Sequence, residues 1–129
     1  MKALVCAAML VLFATTEAHS SDAAEHETCI AESGGVTVAM LDCIGNAIDR
    51  TQAMLDDLLS QHPPQLTPDQ ASALTAAQRD WRAYRQSTCD AAATLWGDGS
   101  FTAVMHAECW LELTRTRLDW LQSVLTKPT

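Results

Sequence analysis

The residues whose types and spacing could support catalysis lie mainly near the C-terminus. Glu108 and Glu112 are one helical turn apart and share a face, as the paired acids of a glycosidase could. His106 and Cys109 also share a helical face, while Ser100 lacks a nucleophile-elbow pattern and a convincing base. Solvated acids at this spacing are much commoner than catalytic pairs, and Cys109 has a better use in a disulfide. The sequence therefore predicts no enzyme activity, no catalytic residue, no cofactor and no metal site.

A glycine-rich stretch, TLWGDGSFT at residues 94–102, is a second place where chemistry could occur. Such turns can bind phosphate or calcium, but an acid at the apex disfavours phosphate. Calcium requires more oxygen ligands than Asp98 and Ser100 provide. Gly97 follows the last apolar position of one helix, where a closing residue is needed, and Ser100 precedes the next helix, where a capping oxygen is needed. The stretch is therefore predicted to be a helix–helix turn.

The N-terminal region has the features of a targeting segment. Residues 1–18 contain a lysine, an unbroken apolar run and small residues before an expected cleavage site after residue 18. These features are typical of a cleaved secretory signal peptide. SDAA just downstream offers a second cleavage site. We predict an exported protein, periplasmic or extracellular, without stable membrane insertion. Residues 19–27 are polar and predicted to be flexible, and residues 28–127 are predicted to form one helical domain.

The chain of 129 residues has a formal net charge of −8 at pH 7. An acidic protein disfavours nucleic acids and anionic membrane surfaces and attracts a basic partner. The same charge also serves solubility, so charge alone does not identify a partner. The oligomeric state is not predicted.

Four of the five cysteines lie beyond the predicted signal peptide. An even number in an exported chain predicts two disulfides, and the absence of a CxxC pair disfavours zinc. Four cysteines allow three pairings. Cys29 and Cys43 flank a glycine pair, while Cys89 and Cys109 are each ten residues from Gly99. Hairpin geometry therefore favours Cys29–Cys43 and Cys89–Cys109.

The spacing of apolar residues predicts helices throughout this region. One helix is expected from 36 to about 60, and QHPPQ ends it. Thr67 and Gln70 form a capping-box pattern, with Pro68 at the first helical position. That helix continues to the glycine-rich turn, and another runs from about 101 to 126. The predicted fold class is all-α: a small disulfide-stapled bundle of three main helices plus a short N-terminal helical segment.

A hairpin with its tip near Gly99 places residues whose numbers sum to about 198 side by side. The predicted neighbours across this hairpin are Trp81 with Arg117, Tyr84 with Thr114, and Arg85 with Glu112 or Leu113. The first pair would be a cation–π contact worth about 1 kcal/mol. Arg85 and Glu112 would form a partly covered ion pair.

The sequence AQRDWRAYRQSTC, followed by GS and by CWLELTRTRLDWL, resembles the LprI-type lysozyme-inhibitor family of secreted bacterial proteins. The pattern consists of a Trp, a Tyr-Arg pair, a Cys, a Gly-Ser pair, a second Cys, a Thr and an Arg. The matching residues between Leu74 and Leu121 are Trp81, Tyr84, Arg85, Cys89, Gly99, Ser100, Cys109, Thr114 and Arg117. Cys29 and Cys43 supply the family's earlier cysteine pair.

This resemblance implies a helical, disulfide-linked envelope protein that binds and inhibits lysozyme, a basic protein. The chain departs from the family at Gln86 and Ser87, where Asp-Ala is common, and its first helix lacks the family's Leu-Asn and Tyr. No inhibitory residue is carried over, and the matching residues are interpreted as scaffold. The alternative is an envelope interaction or structural module with the same fold and another partner.

The best candidate for partner binding is the tip of the hairpin. Trp96 and Phe101 flank GDGS, and Asp98 lies at its apex. An acidic protrusion edged by aromatic rings could enter a lysozyme cleft and inhibit by steric occlusion. The alternative, which we favour on sequence grounds, is that Trp96 and Phe101 fold inward as a hydrophobic lid.

Overall fold

The computed structural model describes residues 14–126, with side chains from residue 20 onward except that of Pro63. Within this range there are four α-helices and one short 3-10 helix, and no strand: α1 (Ala14–Glu32), α2 (Thr37–Gln61), the 3-10 helix (Pro63–Gln65), α3 (Pro68–Trp96) and α4 (Ser100–Leu125). The predicted all-α class is confirmed. None of these helices is both long enough and apolar enough to span a membrane. Most of the predicted signal peptide lies outside the described residues.

Local signals set both ends of α3, but the predicted cap of α4 is absent. The predicted capping box begins α3: Gln70 N–H donates to Thr67 Oγ1 (3.2 Å), and Thr67 N–H donates to Gln70 Oε1 (2.9 Å). Gly97 ends α3 with a φ of 90°, which L side chains rarely adopt. Ser100 does not cap α4, because it is already the first helical residue and Gly99 occupies the capping position.

Both predicted disulfides are present. Cys29 is bonded to Cys43, with their Cα atoms 5.7 Å apart, and Cys89 is bonded to Cys109, at 5.6 Å. The first bond ties α1 to α2, and the second ties α3 to α4. Each pair of helices is therefore linked covalently close to the loop that joins it.

The core lies mainly between α2 and α4. One cluster of buried residues includes Ile44 and Val104, and a second includes Leu55 and Leu118. Early residues of α2 thus pack with early residues of α4, and later residues with later ones, so the two helices run in the same direction. Consequently the α1–α2 loop and the α3–α4 loop lie at one end of the bundle, which we call the tip end.

The segment at 19–27 differs from the prediction of a flexible terminus. From residue 20 onward it belongs to α1 and docks on α2 and α4 through a buried carboxylate. Asp22 accepts hydrogen bonds from Arg50 Nε (2.7 Å) and Arg115 Nη2 (3.1 Å). Residue polarity was misleading here because the partners lie 28 and 93 residues away in sequence. We call these three residues the α1 clasp.

The electrostatics of the α1 clasp favour an ionised Asp22. Burial acts to raise the pKa of this carboxyl, but the hydrogen bonds and positive charges of Arg50 and Arg115 outweigh it and hold the pKa below 3.8. His26 lies one turn further along α1, with its Nε2 3.3 Å from Glu108 Oε1. Asp22, His26 and Cys29 share one face of α1. Because Cys29 is bonded to Cys43 of α2, this face has to lie against the bundle, and the position of Cys29 was therefore the sequence signal for the docking of α1.

Candidate functional site

Arg85 lies at the centre of the seam between α3 and α4. Its guanidinium stacks on the rings of Trp81 and Trp110, with Cζ 4.4 and 4.1 Å from the ring centroids. Its Nη1 donates to Thr114 Oγ1 (2.8 Å) and to Gln52 Oε1 of α2 (3.2 Å). Burial lowers the pKa of this arginine. The buried side chain is therefore held by rings and neutral oxygens.

The predicted ion pair of Arg85 with Glu112, and the predicted contact of Tyr84 with Thr114, are wrong. Arg85 itself takes the place beside Thr114, and Tyr84 is 56 % exposed. Successive helical residues are rotated by about 100°. Because Arg85 points into the seam, its neighbour Tyr84 points away from it. Glu112 is exposed and outside the seam.

Arg117 extends the same arrangement. The predicted contact with Trp81 is confirmed, at 5.6 Å from Cζ to the ring centroid, and a closer contact joins Arg117 to Trp120 at 4.4 Å. Its Nε donates to Gln78 Oε1 (2.6 Å), and burial lowers its pKa. Rings and guanidinium groups thus alternate along the seam in what we call the Trp–Arg ladder: Trp110, Arg85, Trp81, Arg117 and Trp120. Such contacts are each worth about 0.5–2 kcal/mol, so the ladder stabilises the hairpin.

The candidate acids and histidines are distributed in separate pairs rather than gathered at one centre. Glu108 faces His26, whereas His106 Nε2 lies 3.0 Å from Asp90 Oδ1. Hydrogen bonds from Gln86 and then His106 lower the pKa of Asp90, which is exposed. Among the described residues, no three His, Cys, Asp or Glu side chains come together as a metal-binding group. The acids and histidines in these contacts therefore form pairs between helices, and we assign them no catalytic role.

The tip of the hairpin presents its aromatic side chains to solvent. Trp96 is 62 % exposed and Phe101 is 53 % exposed, so the predicted inward lid is wrong. Trp96 keeps the spacing of the buried face of α3, since Cys89 lies seven residues before it. However, α3 packs on α4 and hardly touches α2, so no other helix covers the ring. Asp98 is exposed between the two aromatic residues.

The tip is also held in place from behind. The buried Cys89 is bonded to Cys109 about two helical turns from the end of α3. At the turn itself, Thr102 Oγ1 donates to the carbonyl oxygen of Gly97 (2.7 Å). The aromatic residues therefore project from a cross-linked turn, an arrangement suited to binding a partner with little loss of conformational entropy.

Comparison with known proteins places this architecture in a family. The sequence model of the family described as lysozyme inhibitor LprI matches residues 29–121. No curated protein and no solved structure shows a significant match. The matched region begins at Cys29 and includes α2, α3, both disulfides and nearly all of α4. This chain therefore belongs to the lysozyme inhibitor LprI family.

Proposed function

We propose that this protein is an exported, non-catalytic inhibitor, periplasmic or extracellular, that binds lysozyme and blocks access to its cleft. The family match suggests the partner, and the observation that carries the mode of binding is the exposed pair Trp96 and Phe101 around Asp98. A protein that acts by occlusion needs a protruding, preorganised contact surface. It needs neither a cofactor nor a catalytic centre.

The composition of the tip suits this role. Fully buried aromatic side chains remove about 150–250 Å² each from water, and interface hot spots are enriched in tryptophan. Asp98 adds a negative charge at the apex, which complements a basic partner. The overall charge of −8 adds long-range attraction. Contact energy and electrostatic attraction thus favour the same orientation, with the tip directed at lysozyme.

A lysozyme activity assay with the purified, oxidised protein tests this proposal. The double variant Trp96→Ala/Asp98→Ala is expected to need about 30-fold more protein for half-inhibition, because a hot spot contributes about 2 kcal/mol or more. The control is Val124→Ala/Asp57→Ala, which removes an exposed apolar residue and an acid at the opposite end of the bundle. Circular dichroism and thermal unfolding establish that both variants fold.

Two outcomes would contradict different parts of the proposal. If a folded Trp96→Ala/Asp98→Ala variant inhibits as well as the unchanged protein, the tip is not the binding site. If neither hen-type nor goose-type lysozyme slows at an excess of the unchanged protein, the inhibitor function itself is wrong for those classes.

A further inference from the structure

Positive charge is absent from two separate stretches of the chain. Residues 28–49 and 86–114 contain no lysine or arginine. Their acidic residues are Glu32, Asp42, Asp49, Asp90, Asp98, Glu108 and Glu112. The arginines of the described chain all lie elsewhere, at Arg50, Arg79, Arg82, Arg85, Arg115 and Arg117. Positive and negative charges are therefore separated along the chain. Whether residues 28–49 and 86–114 lie close together depends on the fold.

The fold brings the two stretches together at the tip end. Ile44 and Val104 belong to one packed cluster. The first residue of α2 lies seven residues before Ile44, and the first residue of α4 lies four residues before Val104. At 1.5 Å per residue, the two helices start within about 5 Å of the same level. The α1–α2 loop and the hairpin tip are therefore at similar heights on adjacent helices.

The contacts of α1 lead to the same placement. Asp22 meets Arg115, and one turn later His26 meets Glu108. Continuing this antiparallel register by another turn brings Ile30 to about the level of Val104, whose cluster it packs against, and the loop after α1 to about the level of Phe101. The loop that follows α1 is thus at the height of the aromatic tip, although more than sixty residues separate them in sequence.

The start of α2 adds exposed apolar surface at this end. Val36, which ends the α1–α2 loop, and Val38, in the first turn of α2, are 55 % and 66 % exposed, and Leu95 near the end of α3 is 87 % exposed. Gly34 and Gly35 both have positive φ, at 62° and 78°, so this turn has a defined backbone rather than a continuous helix. The disulfide from α1 to α2 lies behind this loop, as the second disulfide lies behind the hairpin tip.

We propose that the binding surface is a two-loop face, made of Val36 at the end of the α1–α2 loop and Val38 in the first turn of α2, together with Trp96, Asp98 and Phe101 from the tip. Its partner is a basic protein, and the identification of that protein as lysozyme rests on the proposed function. Charge complementarity carries the choice, because the two stretches that supply these exposed apolar residues contain acids but no lysine or arginine. The cross-linked loops present a preformed surface, and negative potential at this end steers a cationic partner toward it.

Surface plasmon resonance with hen-type lysozyme tests the two-loop face. The variant Val36→Ser/Val38→Ser is expected to raise Kd about tenfold, mainly through faster dissociation. Serine is favoured at a helix N-cap, the position of Val36, so the change is compatible with folding. Val124→Ser, at the opposite end, is the control and is expected to leave Kd unchanged. Trp96→Ala is measured in parallel as the variant of the tip alone.

Ionic strength provides a second readout. Raising the salt concentration from about 50 to 500 mM is expected to slow association about tenfold or more, because steering of an acidic face toward a basic partner is screened. Asp42→Asn, on the first turns of α2, is expected to slow association at low salt. Asp57→Asn, which changes the net charge equally at the other end, is expected to have a smaller effect.

The outcomes separate this inference from the proposed function. Weaker binding by both Trp96→Ala and Val36→Ser/Val38→Ser, with unchanged binding by Val124→Ser, supports the two-loop face. If only Trp96→Ala weakens binding, the α1–α2 loop is outside the interface and the inference is overturned, while the inhibitor function stands. If the unchanged protein does not bind lysozyme, both proposals are overturned.

Discussion

Removing the carboxylate of Asp22 is expected to undock the N-terminal half of α1. Asp22→Ala leaves Arg50 and Arg115 without the buried acceptor that each contacts through a hydrogen bond. The side chain of Asp22 is 9 % exposed, so water cannot occupy its place fully while α1 remains docked. The two arginines then favour a state in which α1 has moved away and both guanidinium groups are hydrated.

The size of the effect follows from the contacts that are lost. A hydrogen bond to a charged group contributes about 1.5–3 kcal/mol, so two of them set an upper figure of about 6 kcal/mol. Arg50 and Arg115 are 36 % and 28 % exposed, and water recovers part of this loss. We expect the free energy of unfolding to fall by about 2–3 kcal/mol. With a urea m-value of about 1.5 kcal/mol/M, the midpoint falls by about 1.3–2 M.

Urea unfolding and amide hydrogen exchange together provide the assay. Exchange is expected to accelerate at residues 20–28 before the rest of the bundle, because the Cys29–Cys43 bond still holds the end of α1. Asp49→Ala is the matched control: it removes one negative charge from an exposed position on α2. If Asp22→Ala and Asp49→Ala shift the midpoint equally, with no faster exchange in α1, the reasoning about the α1 clasp is refuted.

The remaining predictions concern pH, the Trp–Arg ladder and the glycines. Because the folded pKa of Asp22 lies below its ordinary value of 3.8, its stabilisation is fully present above that pH and is lost as pH falls through the folded pKa; urea titrations should show the Asp22→Ala deficit shrinking there. Arg85→Lys is expected to cost about 1–3 kcal/mol and change tryptophan fluorescence, whereas exposed Arg79→Lys should do neither. Gly97→Ala, at a φ of 90°, should lower the free energy of unfolding by about 1–2 kcal/mol. Gly45→Ala, inside α2 with open space around it, should raise it by about 0.5–1 kcal/mol; the reverse order of these two alanine variants would contradict the backbone argument.

Sequence reasoning succeeded where neighbours along the chain carry the information. The capping box at Thr67 depends on a residue three positions away, and the disulfide of Cys89 follows from symmetry about a short turn. The same symmetry placed Trp81 beside Arg117. It misplaced Tyr84 because a register estimated to within one residue leaves about 100° of helical rotation undetermined.

The exposure of the tip required the fold itself. Trp96 has the periodicity of a buried residue, and periodicity describes which way a side chain points without saying whether another helix is there to cover it. Asp22 shows the reverse case, a polar residue that is buried because two arginines from other helices meet it. Neither outcome is encoded in the residues immediately around these positions.

The sequence by itself determined the all-α class, the approximate extents of α2, α3 and α4, the two cross-links and the family. These follow from local spacing, backbone preferences and an ordered motif. The tertiary structure alone decided that α1 docks through the α1 clasp and that an arginine is stacked between Trp81 and Trp110. It also decided that two cation-free stretches meet at one end, because the relative direction of packed helices depends on contacts between residues far apart in the chain.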